Sequence, residues 1–538
     1  MTSRLCLLLS ILCLTTSQAQ EIQTDIPQFH GSGSSVGSRC FWHILETMTE
    51  QTKLAIRATY RSTGSGTGEE EFMGNITYPY NEFGSADFPL PKDEYDALQA
   101  AGQGMIHLPI VMGAIGVFHS VPKISREDLN LTSCLVARIF KGEVNDWTHK
   151  DILAINPSLK LPVQYDFYGK PKEDQSYPIN VVHRADSSGS TKTFTTYLHK
   201  ACPEHWEADL VGSSITWPME GSDFLYAAET TSEIISTLQE TPSVIGYADA
   251  GAGLDEGLDE VALKIEHGSL NEDYFLTSKN SLSKDGLAAA LESEGTKIPD
   301  RGDVDWSGVD VINQVEGYIY AWPMVAITYA YVRKNLTFIP DPQSQSLLKA
   351  FLKTLYDPAY TKKCVDEYLF FPVPESLRNI GLASIEMLEM SPDAPEWIQE
   401  TDTLPGVGQG PYVISSRRMS SSTMQLDLLS EKVGKAETTL DQVVQGWDDL
   451  KSSTTQIKSD LDKVLNGKLD EATESMLDDI DQRLDATFIM SITSLVSGFV
   501  MLLFVLYQQR QIQSLQARPP VKVAKKATKP LPSPEASD

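Results

Sequence analysis

Hydrophobic positions along this chain follow different periods in different regions. Strand-like apolar runs at Ile106–Phe118, Ile179–Val182 and Ala326–Val332 alternate with helical segments such as Gln345–Tyr356, which predicts α/β structure over about residues 20–390. Further on, the period changes. Leu426, Leu429, Val433, Ala436, Leu440, Val443, Trp447, Leu450, Thr454, Ile457, Leu461 and Val464 recur at alternating three- and four-residue steps, with charged residues filling the remaining positions. That is a heptad seam, and it predicts a helical, coiled-coil-like stalk over 422–485. Gly434, Gly446 and Gly467 weaken it, and the register slips near Gly467 before resuming at Leu469, Met476 and Ile480. Self-association through the stalk and packing back onto the globular part both satisfy this pattern, and the stalk is preferred. Between the two regions, 391–421 is rich in Pro and Gly and reads as a linker.

Two other apolar runs have no amphipathic period. Leu5–Leu14 follows Arg4 and precedes Ser17-Gln18-Ala19, the pattern of a cleaved signal peptide over 1–19. Ala486–Tyr507 carries no charged residue and is long enough to cross about 30 Å of hydrocarbon as a helix. Asp478, Asp479, Asp481 and Asp485 precede it, whereas Arg510, Arg518, Lys522, Lys525, Lys526 and Lys529 follow it. The positive flank places the 508–538 tail in the cytosol and everything upstream outside. The expectation is a single-pass protein of the plasma membrane or another membrane of the secretory pathway.

Composition narrows the function classes. A chain of 538 residues is too long for one core, so several domains are expected. Its 73 carboxylates against 44 Lys+Arg argue against nucleic-acid binding, which needs a basic footprint. They say little about a small anion, because distant charges are screened over roughly 8–10 Å. Loss of the signal peptide removes Cys6 and Cys13, and Cys40, Cys134, Cys202 and Cys364 then permit two disulfides in any of three connectivities. No CxxC pair or His/Cys cluster points to zinc, and no cofactor is expected. Sequons at Asn75, Asn130 and Asn335 suit a glycosylated ectodomain.

The candidate chemistry lies in three glycine-serine clusters, starting at Gly31, Ser62 and Ser187, each followed by a plausible helix start. Backbone N–H groups at a helix N-terminus, with hydroxyls beside them, form an anion cradle. Taken singly, such a cluster reads equally well as a loop. The third carries more, because His183-Arg184-Ala185-Asp186-Ser187-Ser188-Gly189-Ser190-Thr191 directly follows the strand Ile179–Val182. Arg184 offers a planar fork of donors, Asp186 can hold that fork, and the Ser-Gly-Ser turn opens a helix aimed at the same spot. The group suits a small, multiply charged oxyanion.

This segment resembles the signature of bacterial phosphate-binding proteins, the substrate receptors of phosphate ABC importers: R-A-D-S-S-G-S, then Phe194-Thr195-Thr196-Tyr197-Leu198. Other stretches appear in that family's order: Gly31–Val36, Tyr60–Ser65, Phe83–Leu90, Leu108–Val111, Ile139–Trp147 with Asn156-Pro157, Ser243–Tyr247 and Trp322-Pro323. The resemblance covers about residues 25–380. It implies a two-lobed type II periplasmic-binding-protein-like ectodomain, with lobe 1 at about 20–115 and 325–390 and lobe 2 at about 116–324. It also implies inorganic phosphate as ligand, held by Ser35, Val36, Ser65, Asp87, Arg184, Asp186, Ser188, Gly189 and Ser190. In the family a carboxylate at the position of Asp87 accepts the proton of hydrogen phosphate, which excludes fully ionised sulfate. Ser35-Val36 departs from the usual Thr-Phe. By the same lobe assignment the disulfides are Cys40–Cys364 and Cys134–Cys202, since a bridge between lobes would clamp the hinge.

Enzymatic readings are weaker. Gly33-Ser34-Ser35-Val36-Gly37 matches G-x-S-x-G, but no histidine or aspartate is linked to it as a triad partner. There is no HExxH, P-loop or complete EF-hand loop, and the acidic stretch Asp249–Glu260 reads as a solvated loop. No enzyme is expected. Three roles follow from a phosphate-binding ectodomain on a membrane stalk: capture for uptake through a separate phosphate transporter, phosphate sensing as a receptor, or adhesion by a protein that has kept only the fold.

Overall fold

The computed structural model describes residues 26–122, 129–166, 168, 170–172, 175–265, 274–281, 298–309, 311, 322–400 and 410–465. The expected signal peptide (1–19), span (486–507) and tail (508–538) lie outside them, and among the described residues no helix is long and apolar enough to cross a membrane. The chain divides into two units, one up to Thr423 and one from Met424.

The first unit begins β1 (Gln28–Gly33), α1 (Ser38–Gln51), β2 (Arg57–Ser62), α2 (Ser65–Met73), β3 (Phe83–Ala86), α3 (Lys92–Ala100) and β4 (Met105–His119). It continues through β5 (Leu129–Thr132), α4 (Ser133–Phe140), α5 (Lys150–Ile155), β6 (Asn180–Arg184), α6 (Gly189–Ala201), β7 (Leu225–Ala228), α7 (Thr231–Glu240) and β8 (Val244–Asp249). Then come α8 (Ala250–Asp255), β9 (Asp259–Ile265), β10 (Tyr274–Leu276), α9 (Ser278–Ser281), β11 (Val325–Arg333), α10 (Pro342–Thr354) and α11 (Pro358–Asp366). It closes with β12 (Phe371–Pro372), α12 (Glu375–Ile385), β13 (Ile398–Gln399) and β14 (Val413–Ile414).

Two sheets share β4. In the first lobe the order is β2-β1-β3-β11-β4, and in the second β4-β8-β6-β7. Val325 pairs with Ala114, and the next residue, Ile115, pairs with Asp249, so the strand passes from one lobe to the other between Ala114 and Ile115. Every residue of β4 is buried, which is why its sequence is a continuous apolar run rather than an alternating one. Pro109 sits inside it without an N–H to give the ladder. There the register slips, Thr328 facing Val111 and Tyr329 facing Pro109, and Ile110 is left over as a bulge.

Each lobe has its own aromatic core. Phe29, Phe41, Tyr60, Phe83 and Phe351 pack together in the first, with Phe41 and Tyr60 stacked at 4.5 Å. Phe140, Phe194, Trp217 and Tyr247 do so in the second, with Phe194 and Tyr247 stacked at 4.4 Å. Two disulfides, Cys40–Cys364 and Cys134–Cys202, are the pairs the resemblance implied, one within each lobe.

Two stretches differ from expectation. The acidic run from Asp249 is no solvated loop: Asp249 and Glu260 are buried, on β8 and β9, with α8 between them. Burial of the strands decides the structure there, not the density of carboxylates. The Pro/Gly-rich 391–421 segment is partly folded, since β13 and β14 pair in parallel and Val413 and Ile414 are buried. Lys53 N donates to the Val413 carbonyl and Ser415 N to that of Gln51, tying this segment to the end of α1. Two adjacent apolar residues are enough to anchor a segment whose average composition is that of a linker.

The 45-residue helix α13 (Ser421–Leu465) covers most of the predicted heptad region. It runs through Gly434 and Gly446, and Leu426, Leu429, Leu440 and Val443 on its seam are exposed. Of the sequons, Asn75 and Asn335 are exposed, whereas Asn130 is half-buried within β5.

Candidate oxyanion-binding cleft

Strand β6 ends at Arg184, and the chain turns through Asp186 and Ser188 into α6. The Arg184 guanidinium is buried, and Asp186 grips it on one edge: Nε donates to Oδ1 at 2.7 Å and Nη2 to Oδ2 at 2.6 Å. Nη1, on the other edge, points across the cleft to Ser35 Oγ at 3.1 Å and, within its own lobe, to Thr231 Oγ1 at 3.2 Å. A buried guanidinium left unpaired would be strongly unfavourable, and this two-point grip both neutralises it and fixes its plane.

Helix α6 starts at Gly189, and its N-cap Ser188 makes no side-chain capping bond. The first-turn N–H groups are therefore not satisfied by the usual hydroxyl, and the positive end of the helix dipole is directed into the cleft. Among the described residues, the Ser190 hydroxyl, also buried, has no hydrogen-bond partner. A buried hydroxyl free to donate beside an uncapped helix start is a donor set suited to an oxyanion.

The first lobe supplies the opposite wall. Asp87 follows β3 and is buried, and three hydroxyls donate to it: Ser34 at 2.6 Å and Thr328 at 2.8 Å to Oδ1, and Ser65 at 3.2 Å to Oδ2. Burial pushes its carboxyl above the ordinary range, while the three hydroxyls and the Arg184 charge work against that shift. A Cβ on Gly189 would lie 2.4 Å from Asp87 Oδ2 and 2.8 Å from Ser65 Oγ, so the lobes meet here closely enough that only glycine fits. Gly66 N donates to the Ser187 carbonyl at 3.1 Å, another bond between lobes.

All the residues named from the sequence gather at this seam. Ser65 and Asp87 lie on one wall, Arg184, Asp186, Ser188, Gly189 and Ser190 on the other, and Ser35 bridges to Arg184. Val36 is buried behind Ser35, and its N–H donates to Ser34 Oγ at 3.1 Å. An interlobe cavity of about 240 Å³ shares Ser35 and Thr231 with the site and has Arg39 and Asp249 on its wall.

Several residues were missed. Ser34, not Ser35, bonds Asp87, and within a run of serines the sequence does not say which hydroxyl faces which way. Thr231 follows Thr230, whose side chain caps α7, so its neighbourhood was legible as a helix start but its reach to Arg184 was not. Tyr247 OH accepts from Arg184 N at 3.2 Å and lies 2.7 Å from Thr191 Oγ1, bracing the turn from beneath. Thr328 had no signal beyond being a β-branched residue in a strand.

The chain is similar in sequence to known proteins. The phosphate-binding protein PstS of Methanocaldococcus jannaschii is 25% identical over 346 residues, 63% of this chain and 81% of that protein. Phosphate-binding protein PstS 3 of Mycobacterium leprae is 26% identical over 358 residues, 66% of this chain and 85% of that protein. Among solved structures, the phosphate-binding protein from Stenotrophomonas maltophilia aligns with a TM-score of 0.49 at 16% identity, covering 66% of this chain and 93% of its own. A family model described as the PBP superfamily domain matches residues 18–352, well over half of the chain, and the protein belongs to that family.

Proposed function

We propose that this protein captures hydrogen phosphate outside the cell, in the cleft between its lobes, while anchored by one membrane span. The observation that carries the reading is the pairing of opposite capacities across the cleft. Arg184, the α6 N-terminus and Ser190 donate, whereas Asp87 accepts. A ligand satisfying both sides must be an oxyanion that still holds a proton, and hydrogen phosphate does where sulfate does not. The two curated relatives, each named a phosphate-binding protein, support the same ligand class. None of the groups gathered here forms a nucleophile–base pair, so the reading is a binding site that leaves its ligand unchanged.

The anchoring part of the proposal rests on the uncharged 486–507 segment and its acidic and basic flanks. It places the cleft outside the cell and the tail in the cytosol. The exposed seam of α13 supports self-association of the stalk.

The test is calorimetry on the detergent-solubilised full chain with phosphate, arsenate and sulfate. Phosphate is expected to bind and sulfate to be rejected, with binding lost in Arg184→Ala. No heat from any oxyanion overturns the reading. Carbonate extraction tests the anchor: the chain stays in the membrane pellet, and deletion of 486–507 releases it.

A further inference from the structure

Asp87 can reject a fully ionised oxyanion only while it is itself ionised. A protonated carboxyl would donate to sulfate as readily as it accepts from hydrogen phosphate. Burial works toward protonation, so something must hold the charge. Two of the three donors that do so, Ser34 and Ser65, come from the loops already expected to line the site. The third does not. Thr328 lies 241 residues away on β11, one of the strands flanking β4 at the lobe junction, and is fully buried.

The placement of Thr328 is built into the sheet. It sits at the register slip on β11, where the bulge opposite Pro109 offsets the two strands. Its methyl is seated against Gly37 at the start of α1, where an added Cβ would lie 2.9 Å from Cγ2. With the methyl lodged there, the hydroxyl points at Asp87 Oδ1. Ser34 and Thr328 together occupy Oδ1, and Ser65 takes one direction of Oδ2. Among the described residues, what remains is a single acceptor direction on Oδ2, the oxygen that faces Gly189 and the α6 N-terminus.

We propose that Thr328 is a positioning residue that sets oxyanion selectivity: its hydroxyl holds Asp87 as an ionised acceptor with one vacant direction, so the cleft admits only an oxyanion that brings a proton. The proposal rests on the phosphate reading above and extends it to a residue outside the recognised loops. Other charged or titratable groups around Asp87 are Arg184, which favours its ionised form, and Asp249, itself pushed up to about 7 by burial. Tyr60 and Tyr331 are held well above the ordinary tyrosine range by burial and stay neutral. These groups are common to wild type and variants, so a difference between them reports on the Thr328 donor.

The experiment titrates phosphate and sulfate into the full chain in detergent from pH 5 to pH 8, for wild type, Thr328→Val, Thr328→Ala and Thr328→Ser. Losing a donor to a carboxylate raises its pKa. In the valine variant, sulfate affinity at pH 7 should therefore rise about tenfold to a hundredfold. The pH below which sulfate enters should move upward, phosphate affinity should change far less, and serine should restore the wild-type profile. If valine does not fold at this site, alanine removes the same donor and gives the same readout. An unmoved sulfate profile in the donor-less variants, or serine behaving like valine, removes the role of Thr328 while leaving the phosphate site standing. Absence of phosphate binding by the wild type instead removes the reading on which both depend.

Discussion

Asp186 engages two nitrogens of Arg184, Nε at 2.7 Å and Nη2 at 2.6 Å, so that only Nη1 is presented across the cleft. The carboxylate thereby decides which edge of the guanidinium a ligand meets. Asp186→Asn keeps the shape but weakens one of the two contacts and leaves the arginine freer to rotate. Phosphate affinity should fall about tenfold to a hundredfold. A double-mutant cycle with Arg184→Lys should show strong non-additivity, because lysine has no fork for Asp186 to orient. Additive losses would mean that Asp186 contacts the ligand independently.

Gly66 tests lobe closure. It lies in the first turn of α2, in the first lobe, yet a Cβ there would sit 2.1 Å from Ser187 Oγ and 2.3 Å from Ser187 Cβ in the second. Within α2 itself alanine is favoured over glycine by up to about 1 kcal/mol. Gly66→Ala should therefore leave unliganded thermal stability unchanged or slightly raised, while phosphate affinity drops about tenfold or more. Small-angle scattering should show that phosphate no longer contracts the variant.

Glu69 on α2 and Glu94 on α3 form a half-buried carboxyl pair, and Lys192 of α6, in the other lobe, acts on Glu69. Lys192 rests 3.9 Å from the Phe88 ring centre, and burial lowers its pKa. Burial first, then the charge of Glu94, pushes Glu69 from 4.5 to about 8. Its folded-state pKa is raised, so its contribution to stability is complete below the unfolded value and is lost as pH rises toward 8. Glu69→Gln should gain on wild type across that window, by up to about 1.4 kcal/mol per pH unit. Urea melts at pH 5 and pH 8 measure the difference, and an equal effect at both pH values would contradict it.

Both disulfides lie inside lobes, Cys40–Cys364 tying α1 to α11 and Cys134–Cys202 tying α4 to the end of α6. Reduction should cost each lobe about 2–5 kcal/mol of stability. It should not release or lock the hinge, so phosphate affinity well below the lowered Tm should be nearly unchanged. Calorimetry with and without reductant checks both halves of that statement.

Contiguous features were legible in the sequence. Arg184 through Ser190 specify a strand end, an arginine fork, its carboxylate partner and a helix start within seven consecutive residues, and the structure assembles them as read. Strands β4 and β11 lie within a residue of the apolar runs that announced them. Features set by register were not legible. Thr328 reaches Asp87 only because β3, β11 and β4 align in one sheet with a bulge at Ile110, and nothing local to Ala326–Val332 encodes that. Glu69 and Glu94 look like any other acids in a chain with 73 carboxylates. Val413-Ile414 is too short to register in a window dominated by Pro and Gly.

The docking of β13 and β14 also gives the domain a mechanical grounding point. The chain from Val413 to Ser420 is fastened to the end of α1 through Lys53–Val413, Gln51–Ser415, the Thr52–Ile414 bridge and the Glu50–Ser420 contact. Tension applied to the polypeptide beyond Ser420 is thus borne by the first lobe. The second lobe is joined to the first through β4 and its neighbours and supplies none of these attachment points. Force entering the domain at that end therefore meets the first lobe before it meets the closing of the cleft.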